Sequence, residues 1–255
     1  MTDPVALVTG ASRGIGKQIC IDLATAGYDV VCAARSTGQA PGRLPGTIEE
    51  TAQRVEKQGQ RAIAALLDVR DEQAVVELAK RIRQEWGRCD LLVNNAAVAP
   101  PKPALQDSIK RWRLAVDVNL NGPFYLIHSL AALLVEAGGH VVNISSGASV
   151  LPSFGRPSYT ATKRGLEGLT EALAFELSGK VAVNAIQLDV PVWTEGFDAT
   201  LPEGTDTSMY EDPVIMSDAV LWLAKQPLSF SGKVLTIGEL RELGAIRPPT
   251  VRRAR

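Results

Sequence analysis

Little in this sequence could hold a metal or cross-link a secreted fold. Its three cysteines, Cys20, Cys32 and Cys89, are odd in number and lack C-x-x-C spacing, and its two histidines are His128 and His140. Such cysteines are expected to be small buried hydrophobes in a reducing compartment, and no metal site is expected. A dominant charge is missing as well. Against 27 basic side chains stand 28 acidic ones, a net charge of −1, so no field draws the chain to nucleic acid or to an anionic membrane. No uninterrupted apolar run nears the roughly 18 residues that cross a bilayer. The opening MTDPVALVTG enters a strand at once and carries no recognisable export signal. The expectation is a cytoplasmic protein without a membrane span.

What the chain does have is a core and an alternation. The 45% hydrophobic content suits one large α/β domain. Apolar runs recur at 5–9, 28–34, 62–69, 90–94, 140–146, 181–188 and 233–237, nearly unbroken, as for strands covered on both faces. Helical patterns lie between them, for example at 47–59 and at 71–87, where Asp71 is an N-cap candidate. Strand–helix alternation of this kind predicts a Rossmann-like, doubly wound parallel sheet of about seven strands, with helices on both faces. One domain is expected over 1–246, followed by a flexible basic tail at 247–255. Two loops are long, 36–46 and 190–213, and long loops in such domains often act as lids or binding loops.

The stretch VALVTGASRGIGKQI (5–19) reads as strand, glycine-rich turn and helix. Gly10, Gly14 and Gly16, with Ser12 and Ile15 in the same turn, would let a pyrophosphate approach backbone N–H groups at a helix N-terminus. Arg13 enters that helix against its macrodipole, a small cost unless an anion sits there. A NAD-selective site would place a carboxylate near position 36 for the ribose 2′-OH. This chain has none from Val30 to Ile48, and offers Arg35 instead. A guanidinium fork suits a 2′-phosphate, so NADP is expected over NAD.

Together TGASRGIG (9–16), DV (68–69), NNAA (94–97), Asn119, NISS (143–146) and the Y-x-x-x-K of Tyr159 and Lys163 resemble the short-chain dehydrogenase/reductase family over about 4–240. Ser146 precedes Tyr159 by thirteen residues, the separation that family uses. The segments 44–53 and 211–227 look most like its hydroxysteroid-dehydrogenase-like branch. The resemblance implies Tyr159 as general acid/base and Lys163 on the cofactor ribose. It implies Ser146 on the substrate oxygen and Asn119 holding a water that links the lysine to solvent. Asp68 and Val69 would bracket the adenine, and Asn95 and Ala96 would line the adenosine ribose. Residues four apart share one helix face, so a neighbouring ammonium, with the oxidised nicotinamide, would bring the Tyr159 phenol down toward working pH. A homodimer or homotetramer packed through helices near 108–137 and 159–178 is also implied.

The chain departs from the family in two places. NNAG is NNAA here, which puts a methyl group at Ala97. The Pro-Gly after the sixth strand is absent from NAIQLDVPVWTEGF (184–197). Pro191 has no N–H to give a nicotinamide carboxamide. The expectation is therefore a one-residue insertion around 188–190, with Val192 and Thr194 fixing the ring and Asp189 either facing the phosphates or turned away as a loop cap. The function implied is interconversion of an alcohol and a carbonyl with NADP. A 3-ketoacyl thioester reductase is the nearest alternative, and a non-catalytic nucleotide-binding sensor is one of another class. The apolar Trp193, Phe197, Met209 and Tyr210, with the acids Glu195, Asp198, Glu203, Asp206, Glu211 and Asp212, predict a lid over an uncharged, fairly apolar small-molecule substrate.

Overall fold

A computed structural model describes residues 2–40, 42, 44–99, 101–199, 201–202 and 204–249. The chain alternates as β1 (Val5–Thr9), α1 (Gly14–Thr25), β2 (Asp29–Ala34), α2 (Ile48–Glu56), β3 (Ala62–Leu66), α3 (Glu72–Glu85) and β4 (Leu91–Asn94). It continues with α4 (Ile109–Val116), α5 (Gly122–Ala137), β5 (His140–Ser146), α6 (Pro157–Glu176), β6 (Ala182–Leu188), α7 (Glu195–Asp198), α8 (Val214–Leu223), β7 (Val234–Thr236) and α9 (Ile237–Glu242). The strands form one seven-stranded sheet in the order β3-β2-β1-β4-β5-β6-β7, parallel throughout. This is the doubly wound architecture the sequence predicts.

Local chemistry sets the element ends. Asp71 caps α3 by accepting the Ala74 N–H at 3.0 Å. Thr47 and Glu50 close a reciprocal capping box on α2. The last turn of α5 stops at Gly138, whose φ of 60° is left-handed and favours a residue without Cβ. Between α4 and α5 the residues Asp117–Asn121 form a π-helical turn, so 109–137 is one helical run with a bulge at Asn119. By length and composition that run could cross a membrane, which reading the apolar runs one by one did not register. Half of its most apolar stretch is buried, and α5 packs against α3 and the β4–β5 region, the behaviour of a core helix.

The core lies in two layers, one on each face of the sheet. Ile19, Leu23, Ile215, Met216 and Leu223 fill one, while Val75, Ile82, Leu126, Leu130 and Leu134 fill the other. All three cysteines are buried in these layers, and burial pushes the Cys89 thiol up to about 12. Asn94 and Asn143 pair across β4 and β5 at 2.8 Å, and Asn143 reaches Thr170 on α6 at 2.9 Å. Buried amides so joined fix the helix against the sheet.

Strand order runs outward from β1 to β3 and then reverses to β4. The C-terminal ends of β1 and β4 therefore diverge, and a crevice opens between them, as is general for this sheet type. The start of the expected tail is held, since Arg247 pairs with Asp218 at 2.6 Å. Residues 250–255 of that tail, and Glu203 of the 190–213 loop, lie outside the described residues.

Candidate active site

The crevice holds about 290 Å³ and is walled by the glycine loop, the end of β2 (Arg35, Ser36), Asp68 and Val69, and the 95–98 segment. Steric necessity explains the glycines. A Cβ on Gly16 would sit 2.4 Å from the Gly10 carbonyl oxygen, and one on Gly10 would sit 2.8 Å from Asn95 Nδ2. Gly10 and Gly14 also have φ of 68° and 55°. Thr9 completes the turn. Its hydroxyl oxygen accepts the N–H groups of Asn95 and Ala96, each at 3.0 Å, and Asn95 Nδ2 donates to the Thr9 carbonyl at 2.8 Å. The NNAA segment is thus tied to the glycine loop. Ala97 lines the crevice, and among the described residues no non-glycine backbone has positive φ, so its methyl group is accommodated without strain.

Arg13 does not point its guanidinium out for a ligand as expected. It donates to the carbonyls of Leu44, Pro45 and Gly46 at 2.9–3.1 Å and to Ser36 Oγ at 3.0 Å. The physical reason is local: the 36–46 loop folds back over the glycine turn, and its carbonyls need donors there. Arg35 is exposed at the rim, near enough to Asp68 to help hold that carboxyl low. The larger effect on Asp68 is the Arg70 guanidinium bonded to it. Ser12 is buried in the crevice wall and Ile15 packs on the core below it.

Ser146, Tyr159 and Lys163 come together where α6 meets the end of β5. Ser146 ends β5, its hydroxyl accepts the Ala148 N–H at 3.3 Å, and it lies close enough to the Tyr159 phenol to help lower it. Lys163, 3% exposed, donates from Nζ to the Ile144 carbonyl at 2.6 Å and lies 5.7 Å from the centre of the Tyr159 ring. One correction follows. Burial pushes the Tyr159 phenol up from its ordinary value, with Ser146 and Arg156 pulling back more weakly, and Lys163 is not among the groups that lower it. The protein alone therefore keeps Tyr159 as a proton donor, because the lysine faces a backbone carbonyl and is itself brought down to about 8 by burial. Asn119 is bound through its side chain. Its amide meets Val98 N–H (2.8 Å), the Val98 carbonyl (2.9 Å) and Thr162 Oγ1 (3.0 Å), which pins α6 to the crevice wall.

The 190–213 loop is more ordered than a free lid. A parallel bridge joins Val192 to Glu211, and its bonds run from Trp193 N–H to the Glu211 carbonyl and from Glu211 N–H to the Pro191 carbonyl. Val192 is buried in the core and its N–H takes no part in the bridge. Thr194 caps α7 by accepting the Phe197 N–H at 3.1 Å, and Phe197 stacks on Tyr210 at 5.5 Å. The acids do not all face water. Glu211 pairs with Arg241, Asp212 accepts the Val214 N–H, and Asp189 turns away from the crevice to accept the Ile237 N–H at the start of α9. Glu195 was not singled out for the cofactor region, yet its carboxylate accepts the Gly14 N–H at 3.0 Å. It therefore holds one of the donors that a glycine loop offers to phosphate. Glu167, one further helical turn from Lys163, was also missed; the Y-x-x-x-K-x-x-x-E spacing was the available signal.

Comparison with known proteins agrees with this geometry. The family described as short chain dehydrogenase matches residues 4–197, and the chain belongs to it. Hydroxysteroid dehydrogenase-like protein 2 of Danio rerio is 34% identical over 231 residues, covering 89% of this chain and 55% of that protein. Its Homo sapiens counterpart is 32% identical over 241 residues, covering 93% and 57%. The chain thus spans a little over half the length of these curated relatives. Among solved structures, a Xanthomonas campestris protein assigned as a dehydrogenase superimposes with a TM-score of 0.85 at 30% identity, covering 95% of this chain and 90% of the other. A metagenomic short-chain oxidoreductase in complex with NADP gives 0.76 at 32% identity, covering 91% and 96%. Members of the family are oxidoreductases that act on alcohols and carbonyls with NAD(P).

Burial of Lys163 makes a measurable statement about stability. With its folded value near 8, below the ordinary 10.5, the native state binds fewer protons than the unfolded state between those values. Its contribution therefore increases stability as pH rises through that window. The stability difference between the natural protein and Lys163→Met should grow in the natural protein's favour by about 1.5 kcal/mol from about pH 8 to about pH 9.5. Urea unfolding at both values would read it, and a constant difference would show that the ammonium is not desolvated.

Proposed function

We propose that this protein interconverts a carbonyl compound and its alcohol with NADP, with Tyr159 as the proton donor. The meeting of Ser146, Tyr159 and a buried Lys163 carries the reading, with Asn119 tying their helix to Val98 of the crevice wall. The crevice fits such a cofactor. Glycines bring its floor to bare backbone, and the 33–36 corner presents Arg35 and Ser36 with no carboxylate between Val30 and Ile48. That corner supports NADP over NAD, and one structural neighbour is described in complex with NADP.

When bound, NADPH supplies the hydride that the carbonyl carbon accepts, leaving as NADP⁺. The protein's part is to place and protonate the carbonyl oxygen. Ser146 stands close enough to the phenol to act with it on that oxygen, and the raised phenol keeps its proton at neutral pH until the oxygen takes it. Lys163 sits one turn away, positioned for the ribose. A second cavity of about 440 Å³ begins at Gly147, directly after Ser146; Ala148, Val150, Leu151, Leu188 and Val190 line it together with the polar Ser153, Gln187, Asp189 and Thr236. The apolar side chains among them support an uncharged, fairly apolar substrate. Exposed Trp112 and Phe124 on the α4–α5 run, and Phe175 on α6, fit packing against a second copy.

Two experiments test this reading. Tyr159→Phe keeps the ring and removes the proton, so NADPH binding should survive while kcat falls by about 10²–10⁴ on a carbonyl panel that includes 3-ketoacyl thioesters. Unchanged turnover on an authentic substrate would refute the assignment, and tight NADPH binding without turnover on any carbonyl would favour a nucleotide sensor. Cofactor affinity is the second readout. Arg35→Ala should weaken NADPH about tenfold and leave NADH nearly unchanged, since only NADPH carries the 2′-phosphate. Glu195→Gln should tighten both, because it removes a carboxylate from a phosphate-facing N–H. Equal effects of Arg35→Ala on the two cofactors would remove the case for NADP.

A further inference from the structure

Helix α6 carries Tyr159, Lys163 and Glu167 at intervals of four, so all three lie on one face. Glu167 is 2% exposed. Its Oε1 accepts three hydrogen bonds, from Ser145 Oγ at 2.7 Å, Ser149 Oγ at 2.7 Å and Gln187 Nε2 at 2.9 Å. An oxygen receiving three donors acts as an acceptor only. The donors come from the end of β5, the turn after it, and β6, where Ser145 and Gln187 are register partners. Lys163 Nζ binds Ile144, the residue before Ser145. The Ile144–Ser149 segment is thus fastened to α6 at both ends, with Ser146 between the fastenings.

We propose that Glu167 is a positioning residue of this site: its buried carboxylate clamps the strand end that presents Ser146 to Tyr159, and it stands one helical turn from Lys163 on the same face as its counter-charge. The inference rests on the assignment of Ser146, Tyr159 and Lys163 given above. Charges around the lysine are few. α6 contributes Tyr159, Glu167 and Arg164, whose side chain is 68% exposed and meets Glu167 Oε2 at 3.3 Å. β5 and β6 contribute only neutral Ser145, Ser146 and Gln187. The π-helical turn contributes neutral Asn119, and its Asp117 is bonded to Asn121. Burial lowers Lys163, and Glu167 is the group that raises it in return.

A Lys163 titration followed by ¹³C NMR of the lysine side chain, assigned with Lys163→Met, tests the charge without any substrate. Glu167→Gln keeps the shape and loses the charge, so the Lys163 midpoint should fall by about one pH unit or more. On the carbonyl substrate, the high-pH loss of kcat should move down by the same amount. Glu167→Asp keeps the charge but shortens the clamp, so kcat should fall about tenfold with the Lys163 midpoint unmoved and NADPH affinity little changed. If Glu167→Gln does not fold, the Asp variant alone decides between a clamp and no clamp. A folded Gln variant with an unmoved midpoint, or an Asp variant with natural kcat, overturns the proposal. Because the midpoint is read without turnover, that result stands apart from any failure of Tyr159→Phe.

Discussion

The reversal of strand order between β1 and β4 is the constraint on which the rest of this molecule depends. Connections from β1 run outward to β3 on one side, and those from β4 run outward to β7 on the other. No helix can cover the point where the two windings part. The crevice there is a product of topology, and its walls are the strand ends and the turns that leave them. The Gly10–Gly16 contact, the Thr9 bonds to Asn95 and Ala96, and the placement of Ser146 all follow from strands that end together. Closing the gap with side chains would need Cβ atoms at places where backbone already touches backbone.

A second constraint is charge in a dry place. Lys163 and Glu167 are buried on α6, and isolated buried charges are costly unless partnered. Here the cost is met by a carbonyl at 2.6 Å for the lysine and three donors for the glutamate. Those same bonds hold the strand end that carries Ser146. Desolvation also sets the resting chemistry of Tyr159. In this protein burial raises the phenol rather than lowering it, so the resting side chain holds its proton.

Much of this was legible in the sequence, for identifiable reasons. Unbroken apolar runs gave the strands within a residue or two at β1, β2, β4, β5 and β6, because strands covered on both faces have no polar face to confuse the pattern. The glycine turn and Y-x-x-x-K could be read because their roles are local, set by spacing along one turn or one helix. Side-chain partners that come from distant segments could not. Arg13 looked free for an anion because Leu44, Pro45 and Gly46 lie some thirty residues away and fold back only in three dimensions. The Asn119 amide is claimed by Val98 and Thr162 for the same reason. The helical span 109–137 escaped notice as a single apolar unit because Lys110, Arg111 and Arg113 interrupt its start.

Two loops meet over the glycine turn, and their meeting alters what a ligand encounters. Arg13 draws 44–46 inward, Glu195 reaches the Gly14 N–H from the other side, and Leu44 lies 3.6 Å from the Cβ that a side chain at Gly196 would have. The absent Pro-Gly bears on this roof. Asp189 turns to α9, Val192 pairs with Glu211, and the chain arrives at Thr194 close against Gly14. A backbone N–H already bonded to a carboxylate is not lost stability to the resting protein, since the helix end keeps its anion. A phosphate entering there exchanges one anion for another, so its net gain is smaller than the bare turn would give. The donor geometry is preserved by Glu195, while the charge that fills it is replaceable. The glycine turn is thereby kept in its binding shape by the protein's own side chain.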